Sequence, residues 1–550
     1  MATRPTRILA MMVLVLSAGT GCGPDPEKAG DECDPEDGCP NGMICAAGED
    51  DEDICYTPLG GECEVGGPDY CHEDAVCAAN AEGKGVCGIA EGGTCDPKNP
   101  QCAGTMVCAE LVAGGHACYP PVFVHGMVFD AATKAAIPSA HVIALDDQAT
   151  AITGVAITGP DGNYELQVPI PRKEDGAPTD EFAFTLRASA QDYQTFPGGL
   201  RTALPISAGE AGSVEKGWDI DVTLTDIALI ALPADQKGLA SIAGHVVAEE
   251  GAAGVLVVAE GGDAGGISAV SDLDGAYTIF NVPDGSYTVQ GYAAGLQLNT
   301  ASATVAGAAL TGVDLTVSAE ALGRITGSVN IVNAPGGSVT SVVLVVKSTF
   351  SDTFVRGEVP RGLRTPLSGP PDVNGAFTID GVPAGEYVVL AAFENDDLVR
   401  DPDPNIAGTQ IVTVTMPTPG EDVALESSFK ITEALAVIGP GVDQPEAVSA
   451  PVTLRWADDS SEDFYTVVVY DAYGDLVWCA SDAMLAIACE PNIPGVSGSE
   501  DVSIEYGGPL EPGMYYQFRA TSWRVPGGEP GPISQTEDLR GVFFVEAGGE

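Results

Sequence analysis

DLDGAYTIFNVPDGSYTV, residues 272–289, reads as two alternating apolar runs, each opened by a tight turn. Asp274-Gly275 opens the first run and Pro283-Asp284-Gly285 the second. Asp-Gly between alternating apolar runs is a strong hairpin signal, because the turn needs a positive φ that glycine tolerates. The Pro-x-Gly pair makes the second turn by presetting one φ and freeing another. Tyr277 and Tyr287 each follow a turn glycine by two residues, which places both on the inward face of the next strand. VNGAFTIDGVPAGEYVV, residues 373–389, repeats the pattern with Asn374-Gly375, Phe377, Pro383, Gly385 and Tyr387. An earlier copy has Pro160-Asp161-Gly162-Asn163-Tyr164, then a polar insertion, Pro171–Gly176, before alternation resumes over Phe182–Ala188.

Each copy also begins alike. The opening strands are Val124-His125-Gly126-Met127-Val128, Ile242-Ala243-Gly244-His245-Val246 and Ile325-Thr326-Gly327-Ser328-Val329. Together these residues resemble the carboxypeptidase regulatory-like domain. The resemblance implies three transthyretin-like sandwiches, over 122–232, 238–319 and 322–432, the last with an insertion at Thr349–Pro371. It also implies non-catalytic modules whose relatives have a carbohydrate-binding-like fold. The final segment, 433–550, carries Trp456 on an early strand and Leu510-Glu511-Pro512 ahead of Tyr515-Tyr516. This resembles the fibronectin type III pattern, which implies that Trp456 is core and Tyr516 a corner tyrosine. The expected fold class is therefore all-β, tandem β-sandwich domains preceded by small disulfide-rich repeats.

Those repeats lie in 33–119. Of fifteen cysteines, twelve fall into three blocks: Cys33, Cys39, Cys45, Cys55; Cys63, Cys71, Cys77, Cys87; and Cys95, Cys102, Cys108, Cys118. The second gap is always five residues and the third always nine, while the first is five, seven or six. Seven residues separate each block from the next. Fixed spacing is a repeat signal. A block of about thirty residues buries too little apolar surface to fold unaided, so covalent staples are expected. Two disulfides per block would each contribute roughly 2–3 kcal/mol. Four cysteines allow three pairings, and the spacing leaves all three open. Zinc is disfavoured because no block holds a C-x2–4-C knuckle, and His72 and His116 share no spacing with the cysteines. Cys479 and Cys489 are expected to close a small loop in the last domain.

The odd cysteine is Cys22. Arg4 and Arg7 precede the apolar run Ile8–Ser17, which is too short to span a bilayer, and Ala18-Gly19-Thr20-Gly21 leads into the thiol. This resembles the bacterial lipoprotein signal, although Gly19 stands where the family has leucine. The resemblance implies a signal peptide over 1–21, lipidation of Cys22 and a linker over 22–32.

Composition excludes some partners. Lys and Arg number 23 against 79 Asp and Glu, for a net charge of −56, so phosphate backbones are repelled and nucleic acid is not an expected partner. The same charge repels anionic head groups, leaving the N-terminal lipid as the expected membrane attachment. Glycine at 69 residues and proline at 40 favour short strands and turns over helical bundles.

Motifs for catalysis are missing: there is no His-Glu-x-x-His, no Gly-x-Ser-x-Gly and no phosphate-binding Gly-x4-Gly-Lys-Ser/Thr. His125, His141 and His245 alternate with apolar residues and read as edge or core positions. Glu49–Asp53 reads as a solvated acidic loop. Asp401, Asp403 and Asn405 form a weak calcium candidate, since Ile406 and Val412 occupy positions where the helix-loop-helix motif needs Gly and Glu. No other cofactor is expected. The expectation is a non-catalytic, exported, lipid-anchored outer-membrane or cell-surface protein, with periplasmic or secreted as the alternative location. It would act as a modular adhesion or binding scaffold for an extracellular or envelope polysaccharide or protein. The alternatives are a carbohydrate-binding accessory of a secreted hydrolase, or an exported enzyme with an unrecognised active site.

Overall fold

The computed structural model describes residues 28–546 apart from 37, 49–51, 73–74, 199–202, 262–264, 333–340, 352–355, 368–372, 374, 393–411, 427–428, 433, 460–461, 481–488, 490–492, 496–500, 526–529 and 537–539. The fold is all-β. The helical segments among the described residues are three-residue 3-10 turns. Two compact units divide at Pro120 and Pro121.

The first unit contains three short hairpins, Ile44–Ala47 with Asp53–Tyr56, Ala75–Ala79 with Gly85–Ile89, and Val107–Glu110 with His116–Tyr119. Each hairpin sets the third and fourth cysteines of its block opposite each other, as Cys45 and Cys55, Cys77 and Cys87, and Cys108 and Cys118. The invariant nine-residue gap is thus the hairpin itself. Adjacent blocks are joined by backbone bonds: Thr57 N–H, just past the first hairpin, donates to Tyr70 O of the second block at 2.7 Å, and Ile89 N–H, at the end of the second hairpin, to Gln101 O of the third at 2.7 Å. Apolar packing here is sparse. One cluster centres on Cys71, Ala75 and Cys87, another on Ala109, Ala117 and Tyr119.

The second unit holds four sandwiches. In the first, strand Val122–Asp130 pairs antiparallel with Asn163–Val168 and parallel with Gly217–Ile220 and Ile227–Leu229. The facing sheet runs Ile206–Ser207, Ala183–Ser189, His141–Leu145, Ala156–Ile157. The second sandwich repeats this around Ala240–Val247, which pairs antiparallel with Ala276–Val282 and parallel with Leu315–Thr316. Around Gly323–Val332 the third does the same, with Ala376–Val382 antiparallel and Asp422–Ala424 and Phe429–Thr432 parallel. Their facing sheets are built on Leu256–Glu260 with Gly285–Tyr292, and on Ser341–Val346 with Gly385–Ala392.

One local device explains the repeated glycine of the opening strands. The registers set Gly126 opposite Tyr164, Gly244 opposite Tyr277, and Gly327 opposite Phe377. With no β-carbon beneath it, each ring folds across the strand. The Tyr164 hydroxyl donates to Thr225 O at 2.6 Å and that of Tyr277 to Val313 O. A second device sits at the following turn, where the hydroxyls of Tyr287 and Tyr387 donate to Pro283 O at 2.9 Å and Pro383 O at 2.8 Å. Between the two, Asn281 (φ 59°) and Gly381 (φ 67°) hold the same left-handed position, one reason the repeat keeps Asn or Gly there.

The fourth sandwich sets Thr453–Trp456, flanked by Val437–Gly439 and Val502–Glu505, against a sheet containing Phe464–Asp471, Tyr515–Arg524 and Val542–Phe544. Trp456 is fully buried, edge-on to Tyr465 at 5.8 Å between ring centres. Glu511 N–H donates to the Tyr516 hydroxyl at 2.9 Å.

Two strands break the inward–outward alternation. Leu256–Glu260 and Ser341–Val346 are apolar apart from Glu260 and Ser341 at their ends and are buried on both faces, as strands covered on two sides must be. Leu256, Val258 and Tyr292 of the second sandwich belong to the third sandwich's core. Val343, Val345, Val388 and Leu390 on the outer face of the third are covered by Phe350 and Val359 from the insertion. Each such side chain contributes about 1.5–3 kcal/mol by leaving water. The sandwiches therefore share walls within this unit.

Candidate functional site

Cys22, Asp401, Asp403 and Asn405 lie outside the described residues. The fourteen other cysteines pair. In every block the first bonds to the third and the second to the fourth: Cys33–Cys45, Cys39–Cys55, Cys63–Cys77, Cys71–Cys87, Cys95–Cys108 and Cys102–Cys118. Cys479–Cys489 is the seventh bridge. Three sulfurs of each block lie within 4.8 Å of one another, a spacing that would suit a metal if they were thiolates. In disulfides they are not available as thiolate ligands.

The histidines take separate places. His125 has Asp219 Oδ1 2.5 Å from Nδ1 and Glu165 Oε2 2.9 Å from Nε2. Partial burial disfavours its charged form, but the bonds to the two carboxylates outweigh that and raise its pKa above 6.5. The carboxylates approach opposite ring nitrogens, so the three groups do not converge on one point. His141 is mostly buried, edge-on to Phe280 at 4.9 Å between ring centres, and burial lowers its pKa. His245 lies 3.7 Å from Asp314 at the surface.

Sequence reading did not single out the residues where three sandwiches meet. A cavity of about 310 Å³ opens there, with Leu145, Phe184, Leu256, Val270 and Val359 among its walls. Arg187, Arg356, Arg361 and Arg364 all line it. Arg187 comes from the first sandwich on strand Ala183–Ser189, and the other three come from the insertion of the third. The Arg187 guanidinium grips Glu358 with two bonds, of 3.1 and 2.8 Å, and Ser268 Oγ of the second sandwich donates to the same carboxylate at 2.9 Å. Burial would push the Glu358 pKa up, yet Arg187, Ser268 and Arg356 hold it below the ordinary value, so the carboxylate is ionised. Arg361 donates to the Gly251 carbonyl at 3.1 Å, and burial lowers its pKa against the opposing field of Asp146.

One signal in the sequence pointed this way. In a chain with 23 basic residues, three arginines fall within nine positions, 356–364. Arg187 is 169 positions from Arg356, and nothing in the spacing joins them.

No protein-family model matches the sequence, and no curated protein matches it. Among solved structures, the chain is similar to the Bacillus anthracis TIE protein, at 11% identity over 74% of this chain and 67% of that one, with a TM-score of 0.13. It is similar to a variant of BcpA, the major pilin subunit of Bacillus cereus, at 8% identity over 56% of this chain and 99% of that one, TM-score 0.15. A DUF3823 family protein from Bacteroides uniformis is 15% identical over 39% of this chain and 99% of its own, TM-score 0.16. At TM-scores this low the likeness carries no statement about this chain's role.

Proposed function

We propose that this chain is an exported, lipid-anchored protein of the outer membrane or cell surface, acting without turnover as a modular adhesion or binding scaffold. The observation that carries the reading is the N-terminal arrangement. A leader with an apolar run precedes Cys22, and three blocks follow that are stapled by six disulfides, the second and third with very small apolar clusters. Such blocks depend on an oxidising compartment, because cytosolic thiols are kept reduced. In this reading residues 33–119 are a stapled stem, 122–232, 238–319 and 322–432 are regulatory-like sandwiches, and 433–550 is fibronectin-like. The walls shared by the sandwiches hold their end loops at fixed spacing, which favours contact at several points at once with an extracellular or envelope polysaccharide or protein.

Protease and label accessibility on intact cells tests this, comparing wild type with Cys22→Ala. Wild type is expected to be exposed on whole cells and the variant to be lost to the medium. Protection of the wild type until the outer membrane is opened would assign it to the periplasm. Identical behaviour of the two would remove Cys22 as the anchor.

A further inference from the structure

The cavity where the first three sandwiches meet combines two properties that together select a ligand class. The first is charge. The chain as a whole is strongly acidic, at −56, yet among the described residues four guanidinium groups line this cavity together with the carboxylates Asp146, Asp147 and Glu358. Those carboxylates are largely committed. Glu358 is held by Arg187 and Ser268, and Asp146 Oδ1 accepts the turn amides of Gln148 and Thr150 at 2.9 and 2.7 Å. Asp147 is exposed to solvent. Arg361, by contrast, donates to a neutral carbonyl, a weaker acceptor for a guanidinium than an anion is, and feels Asp146 through space. Arg364, 8% exposed, lines the same cavity.

The second property is the apolar wall. Pro197, Val270 and Val359, each partly exposed, offer carbon surface to an occupant, and the volume is at the lower end of small-molecule sites. The planar fork of arginine matches a carboxylate in two parallel bonds. We propose that this cavity binds a small organic carboxylate, its apolar body against Pro197, Val270 and Val359 and its charged end met by Arg361 with Arg364 alongside. The inference stands on the cavity alone, so it fails or holds independently of the Cys22 anchor.

The test uses the full chain and titration calorimetry with benzoate, 3-phenylpropionate and 4-methylpentanoate, each against its primary amide. At least one acid is expected to bind saturably, one per chain, with its amide about tenfold weaker or more. Arg361→Gln is expected to weaken the acid by about tenfold or more while melting like wild type. A measurement that needs no variant locates the site: phenylglyoxal modifies arginine, and the binding acid should slow modification of Arg361, read by mass spectrometry, while the amide should not. Absence of saturable binding by all three acids through the millimolar range overturns the proposal. So does equal affinity for acid and amide, or binding that leaves Arg361 unprotected. In each of those cases the arginines serve only to join the sandwiches.

Discussion

Gly244 faces Tyr277 across paired strands, and a β-carbon at 244 would run into the Val313 carbonyl and the tyrosine hydroxyl that bonds to it. The ring can neither stay down nor move freely, since Tyr277 is 3% exposed within the second core. Gly244→Ala is therefore expected to destabilise the unit by about 1–3 kcal/mol, the usual cost of overpacking a tight site. Denaturant melts of wild type and variant would check it, and an unchanged midpoint would show that the ring is not seated on the glycine. Both the glycine and the aromatic were visible in the sequence as recurring residues. Their partnership was not, because register, which sets them opposite each other, depends on how the strands meet.

At the scale of elements, the cysteine blocks and the sandwiches obey different physics. A sandwich keeps a core of a dozen or more buried side chains, as in the second, whereas a block keeps three or so and relies on its bridges. Replacing Cys71 and Cys87 together with serine is expected to cost its block about 2–3 kcal/mol. Limited proteolysis with mass-spectrometric mapping should then find new cuts within 62–90 and none in the strands of 122–316. Equal cutting in both regions would mean that the bridge was not what held the block. Spacing could not choose among the three pairings, since any of them satisfies the same gaps. The hairpin chose, by setting the third and fourth cysteines side by side without joining them, each bonding instead back to the first or second.

At the scale of the molecule, the second unit is knit together by contacts between its sandwiches. Asn281 of the second accepts the Asp192 N–H of the first at 2.7 Å, and the Gln290 amide of the second donates to Ala384 O of the third at 2.5 Å. Thr223 of the first donates to Gly513 O of the fourth at 2.7 Å. Lys134 sits 3.5 Å from Asp475 and about equally over the rings of Phe129 and Tyr473. The sandwiches share walls because strands such as Ser341–Val346 carry apolar side chains on both faces and need cover on both. Arg187 and Glu358 form a charged link between the first and third sandwiches. Arg187→Ala should cost about 3 kcal/mol, since it leaves an ionised, poorly hydrated carboxylate behind. Removing both partners, as Arg187→Met with Glu358→Leu, should cost much less. A double-mutant cycle by chemical denaturation measures the difference, and simple additivity would mean that the pair does not couple the sandwiches. The sequence by itself determined the all-β class, the threefold repeat of turns and aromatics, and the grouping of cysteines, because each is a local pattern in which backbone geometry dictates residue type. Only the tertiary structure decided which cysteines join, which rings cover which glycines, and that Arg187 meets Arg356, Arg361 and Arg364 around one cavity. Those depend on contacts between distant segments, where packing rather than spacing brings the residues together.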